Sequence, residues 1–266
     1  MDNGLNLIVV IFLLLIGSGL GLFVLHLIRL RALDGLQHTL LATGLGLGIV
    51  SFVPFGLAWA QQLSSLNLML AASVLAFTGL VSWLLLTPVT LGELRQLKFR
   101  IYNLGHLDIV LILFILVLTI LNLFAALAPV TGVDELIYRV ADASTYLKEQ
   151  GFVYIPSKFS HQQPQLVMML QMWGMSLGTD SASQVIQWVM GIIFIVVVID
   201  FSRRYLPFTV ALALGLIVYC ASDVVVLSGR AVPDLANSMF LFLLSLIHIS
   251  EPTRRTPISY AVFCLK

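Results

Sequence analysis

Charge is what this chain has least of: Asp, Glu, Lys and Arg make up 10% of its 266 residues, against about a quarter in ordinary soluble domains, while hydrophobic residues reach 59%. A soluble domain of that size would lack the polar side chains to cover its surface, so the composition is that of an integral membrane protein. A net charge of +1 offers no electrostatic hold on nucleic acid. Cysteine is nearly as scarce. Cys220 and Cys264 lie too far apart to form a redox or metal-ligand motif, and Cys220, inside an apolar run, reads as a buried free thiol. His26, His38, His106 and His161 share no ligand spacing, which argues against a structural zinc site. Basic residues are missing from the first 28 positions and no cleavage pattern follows, so the apolar run 5–28 reads as a retained first span, not a secretory leader.

In place of charge the chain has uncharged windows at 5–28, 39–59, 66–87, 109–128, 183–199 and 206–222, with a seventh beginning near 235. At about 1.5 Å of rise per residue each crosses, or nearly crosses, roughly 30 Å of hydrocarbon. The pattern predicts an all-α fold, a polytopic transmembrane helical bundle: four helices in 1–129, then helices five, six and the start of seven in 183–243. Gly44, Gly46 and Gly48 predict close helix packing in the second span, and Pro54 a kink. Three basic clusters, Arg29 with Arg31, Arg95 with Lys98 and Arg100, and Arg203 with Arg204, share one side if residues 130–182 do not cross. Positively charged loops favour the cytoplasm, which places the N-terminus and the 130–182 interval outside.

That interval holds eight charges, five acidic and three basic, and is the longest stretch able to form a water-facing structure. Within it, 141–150 reads as a short amphipathic helix stopped by Gly151. An extended piece and a turn-rich stretch lead to Pro164, which can open a helix over 165–177 containing Met168, Met169, Met172 and Met175. That helix is too short to span and is expected at the interface, so the interval reads as an external loop containing short interfacial helices.

The residues best suited to chemistry follow the fourth span. Asp134 and Glu135 are adjacent carboxylates, each opposing the other's ionisation, a pattern suited to general-base work, to holding a sugar hydroxyl or to ligating a divalent metal. No motif calls for a cofactor. Tyr138, Arg139, Lys158 and His161 lie in the same interval, and acidic and basic groups together suit a phosphate leaving group beside a hydroxyl nucleophile.

The run Ala126-Leu-Ala-Pro-Val-Thr-Gly-Val-Asp-Glu-Leu-Ile-Tyr138, followed by Tyr146-Leu-Lys-Glu-Gln-Gly151, by 159–170 and by Leu177-Gly178, resembles the first external loop of the GT-C type membrane glycosyltransferases. The nearest resemblance is to bacterial relatives of the protein mannosyltransferases and the aminoarabinose lipid A transferases. It implies a multi-pass enzyme of the bacterial cell membrane that passes a sugar from a polyprenyl-phosphate carrier to a lipid, glycan or protein acceptor on the external face, typically with inversion. It also implies Asp134 as catalytic base or acceptor-orienting group, Glu135 as its partner and Tyr138 as a pocket residue. A later acidic position of the family falls on Asp234, and Arg230 is a candidate for the carrier phosphate. The chain departs from the pattern in having Arg139 where histidine is common, and in placing four spans before the loop.

The tail differs in kind. Residues 244–254 and 258–266 resemble a reading-frame translation of a sequencing adapter and its flow-cell primer, with three residues between them. The expectation is a truncated native sequence ending at Leu243, with 244–266 non-native. The rival to the enzyme reading is a multi-pass transporter or membrane assembly protein, whose best foothold is Asp108, placed at the edge of the fourth window where a proton pathway could begin.

Overall fold

The structure, a computed structural model, describes residues 2–28, 35–101, 104–154 and 165–250, and the side chains of these apart from 87–101 and 248–250. Ten α-helices and one π-helical turn account for the described residues, with no strand among them. The helices are α1 (Asp2–Leu27), α2 (Gly35–Trp59), α3 (Ser65–Ile101), α4 (His106–Leu127), α5 (Val140–Lys148), α6 (Leu166–Leu177), α7 (Asp180–Ser202), α8 (Phe208–Tyr219), α9 (Ser222–Ser228) and α10 (Asp234–Ser250). The π-helical turn is Glu135–Arg139 and runs straight into α5.

Five of these helices, α1, α2, the 65–86 part of α3, α4 and α7, are long and apolar enough to cross a membrane. The chain is a multi-pass membrane protein. The sixth window, 206–222, does not form one straight span. α8 ends at Tyr219 and α9 leaves at 73°, a broken span or a re-entrant loop. Cys220 sits at this break and is exposed, against the expectation of a buried thiol. α10 continues through Ser250, so 244–250 extend the last helix; 251–266 lie outside the described residues.

The core is built on α1, α2, α6, α7 and α10. Glycine brings the first two helices together: a Cβ on Gly46 would land on the Gly17 carbonyl oxygen, and one on Gly21 on the Ala42 carbonyl oxygen. Without side chains at these points the backbones approach closely, the usual device where lipid removes the hydrophobic drive for helix association. Gly44 instead faces Leu243 of α10 and Gly48 comes nearest to Phe240, so the alternating glycines of α2 serve two neighbours. α6 has the short length expected, but its residues 167–174 are all buried and it packs against α2, α5 and α7. It is enclosed by protein, where the sequence placed it flat along the interface.

The two ends of the bundle are pinned differently. At one end Asn6 Nδ2 donates to Thr179 Oγ1 at 2.8 Å while Asn6 Oδ1 accepts the Thr179 N–H at 3.0 Å, tying the start of α1 to the α6–α7 turn. At the other end Thr209 Oγ1 donates to Asp108 Oδ1 at 2.5 Å, and the Gly105 N–H donates to Asp108 Oδ2 at 2.9 Å. Asp108 is therefore a helix-capping group that also holds α8. Asp200 pairs with Arg203 at 2.5 Å at that same end.

Candidate functional site

After α4 the chain turns at Pro129 and re-enters a helix at 133, where the Leu136 N–H donates to the Gly132 carbonyl at 2.9 Å. The π-helical turn follows at once, its last amide, that of Val140, donating to the Glu135 carbonyl. One extra residue per turn rotates the side chains that follow, and such turns are frequent at functional sites. Asp134 and Glu135, adjacent helical positions about 100° apart around the axis, face different ways.

Glu135 points inward and is 1% exposed. Its Oε2 accepts the Gly132 N–H at 3.0 Å, and its Oε1 accepts the N–H of Ala231, in the turn between α9 and α10. Gln184, near the start of α7, lies alongside. Its amide nitrogen reaches the Ala128 and Ala126 carbonyls at the end of α4 at 2.8 and 3.2 Å, the first of which also accepts the Ser181 hydroxyl, or in the opposite orientation Glu135 Oε1 at 3.3 Å. The shorter pair of contacts favours the first arrangement, and Glu135 keeps two backbone donors in either. Glu135 thus joins segments 96 residues apart. A buried carboxylate holding two backbone N–H groups is a fixed structural element.

Asp134 is exposed and makes no hydrogen bond or ion pair among the described residues. Tyr138 is exposed and Arg139 half-buried on the same turn. Arg230, exposed, directly precedes the amide that Glu135 accepts, and Asp234, also exposed, opens α10 three residues beyond it. The structure therefore brings the 130s segment and the 230–234 segment to the same end of the bundle. Lys158 and His161 lie outside the described residues. No group of His, Cys, Asp and Glu able to hold a metal ion occurs among the described residues.

A second feature of this end was not foreseen. α2 and α5 both finish in the same way, with a glutamine in the left-handed conformation: Gln61 at φ 56° and Gln150 at φ 58°. The following amides close back on the helices, Gln62 N–H to the Leu57 carbonyl at 2.8 Å and Gly151 N–H to the Tyr146 carbonyl at 3.0 Å. These are two Schellman caps with glutamine in the place usually taken by glycine. They dock on one another. Leu63 N–H donates to the Gln150 carbonyl at 2.8 Å, Phe152 N–H to the Ala58 carbonyl at 3.2 Å, and Gln61 Nε2 to the Phe152 carbonyl at 3.0 Å. Gly151, expected to stop the helix, follows the left-handed residue, and a Cβ there would crowd the flexible end of the Gln61 side chain.

Phe152, fixed by the docked caps, helps line a cleft of about 450 Å³ together with Phe55, Trp59, Tyr146, Val153, Tyr154 and Gln165. Phe152 meets Phe55 and Tyr146 edge to face, with ring centroids 5.4 and 5.2 Å apart. Burial holds the Tyr146 phenol above its ordinary value of 10.0; its hydrogen bond with Gln165 works the other way, and nearby Asp142 adds to the rise. The phenol keeps its proton and remains a donor throughout the physiological range.

No protein-family model matches the chain, and no curated protein or solved structure matches it.

Proposed function

We propose that this protein transfers a sugar from a polyprenyl-phosphate carrier to an acceptor at the external face of a bacterial cell membrane, as a GT-C type glycosyltransferase. The observation that supports this most is the bond from Ala231 to Glu135, which holds the Asp134 segment beside the one bearing Arg230 and Asp234. In the reaction the acceptor hydroxyl oxygen attacks the anomeric carbon, the bond from that carbon to the phosphate oxygen breaks, and the polyprenyl phosphate leaves with the electron pair. Asp134, exposed and unengaged, takes the hydroxyl proton. Arg230 steadies the departing phosphate, with Arg139 and Lys158 as further cations and Tyr138, His161 and Asp234 as binding residues. Glu135 positions the segment and takes no proton. No step requires a metal.

General-base loss typically costs about 10²–10⁴ in rate, so Asp134→Asn is expected to nearly abolish transfer from a purified polyprenyl-phosphate sugar while the protein inserts and folds as before. Transfer at the parental rate would remove Asp134 from the mechanism. Glu135→Gln sets an amide NH₂ against a backbone donor and is expected to lower stability by about 1–3 kcal/mol, affecting rate only through that loss.

One observation favours the transporter reading. The 73° break between α8 and α9 interrupts an apolar run, as the discontinuous helices of transporters do. The same structure takes away that reading's earlier foothold, because both oxygens of Asp108 are committed to Gly105 and Thr209. Solute uptake in proteoliposomes by a protein unable to use any polyprenyl-phosphate donor would decide for transport.

A further inference from the structure

We infer that the aromatic cleft between α2, α5 and residues 152–154 is a binding site for a neutral saccharide ring. Three features of the cleft point to that ligand. Five of its seven lining residues are aromatic, whereas the lipid-facing surface of α4 is made mostly of leucine, isoleucine and valine. Interfacial tryptophan and tyrosine ordinarily form a belt at headgroup level; here they converge on a concavity within the usual range for small-molecule sites, about 300–1,000 Å³. Trp59 and Tyr154 are 76% and 81% exposed, so large flat rings stand open beside it.

Among the described residues the lining also carries no formal charge. A sugar ring suits such a site because one face presents C–H groups to an aromatic surface while its edge presents hydroxyls. The Tyr146 phenol and the Gln165 amide, which hydrogen-bond to each other, supply the polar groups of the lining. The walls are held in place before any ligand arrives: three hydrogen bonds lock the two caps, and both glutamines that carry them sit in a left-handed conformation uncommon for that residue. Backbone conformations of this kind gather at ligand clamps, where the surrounding structure maintains them.

The site is distinct from Asp134, and its occupancy does not rest on the transfer reading. If that reading holds, the cleft receives the acceptor's sugar. The test uses the whole chain in phosphatidylglycerol nanodiscs, free of glycoside detergent and of choline, with glucose, mannose, galactose, arabinose, N-acetylglucosamine and maltose as probes in saturation-transfer NMR. Saturable binding of at least one is expected, with the ring C–H protons receiving most saturation. Trp59→Ala and Tyr154→Ala change exposed side chains, so both proteins should fold, and each is expected to weaken binding about tenfold. Binding is read with no sugar donor present, so loss of transfer alone leaves it unchanged, which separates failure of this site from failure of catalysis. The inference is overturned if no probe binds saturably, or if both alanine variants bind as the parent does. Binding of tetramethylammonium with none of the sugars would also overturn it and assign an aromatic cage for a quaternary ammonium.

Discussion

α1 and α4 are two spans of nearly equal mean hydropathy, yet half of the most apolar stretch of α1 is buried against 11% of that of α4. Hydropathy reports that a helix can cross and is silent on where it packs. The difference lies in the residues that are not apolar. α1 carries Gly17, Gly19 and Gly21 toward its neighbours and is drawn into backbone contact with α2 and α3. α4 contains no glycine, and its buried residues are Asp108, Asn122 and Ala126. It is held by polar ties: Asp108 to Thr209, Asn122 Nδ2 to the Tyr219 hydroxyl at 3.0 Å, and its Thr119 carbonyl to Trp188 Nε1 at 2.9 Å. One helix is attached by contact along a seam, the other at points.

Gly46→Leu should break the seam. Its Cβ meets backbone that cannot move aside, so the expected loss is about 3 kcal/mol or failure to assemble, at the upper end of overpacking costs, measured by denaturant titration in micelles. Gly4→Leu on α1 is the control, because a Cβ there meets nothing within 4 Å; a loss equal to that of Gly46→Leu would mean that helix propensity or insertion, not packing, sets the result. The point attachments are weaker. Asn122→Leu removes the bond to Tyr219 and is expected to cost about 1 kcal/mol, within the range for interhelical hydrogen bonds in membranes. Thr209→Val, which removes the hydroxyl from Asp108 while Gly105 still caps it, is expected to cost about 0.6 kcal/mol. A Thr209→Val loss as large as that of Gly46→Leu would show the comparison between seam and points to be mistaken.

The long spans were legible because apolar runs of more than 20 residues have one physical use, and the close approach at Gly46 because glycine there has few others. Which member of the acidic pair faces inward was not legible. Asp134 and Glu135 differ by one methylene, and what receives Glu135 in the interior is an amide 96 residues away. The break after Tyr219 was equally hidden, since Cys220 and Ala221 are neither proline nor glycine. The caps at Gln61 and Gln150 escaped for the opposite reason: the expected glycine was in view at 151, one residue past the left-handed position.

The docked caps also say something about time. Gln61 and Phe152 are 91 residues apart, and α3 and α4 lie between them. Synthesis at about 5–20 residues per second delivers the second cap on the order of ten seconds after the first. Until then the end of α2 waits with its Leu63 amide and Gln61 side chain unmatched, and the two intervening helices must be inserted in opposite directions for the partner to arrive on the correct side. The cleft is therefore among the later parts of this end to form, and its closure records that α3 and α4 have crossed.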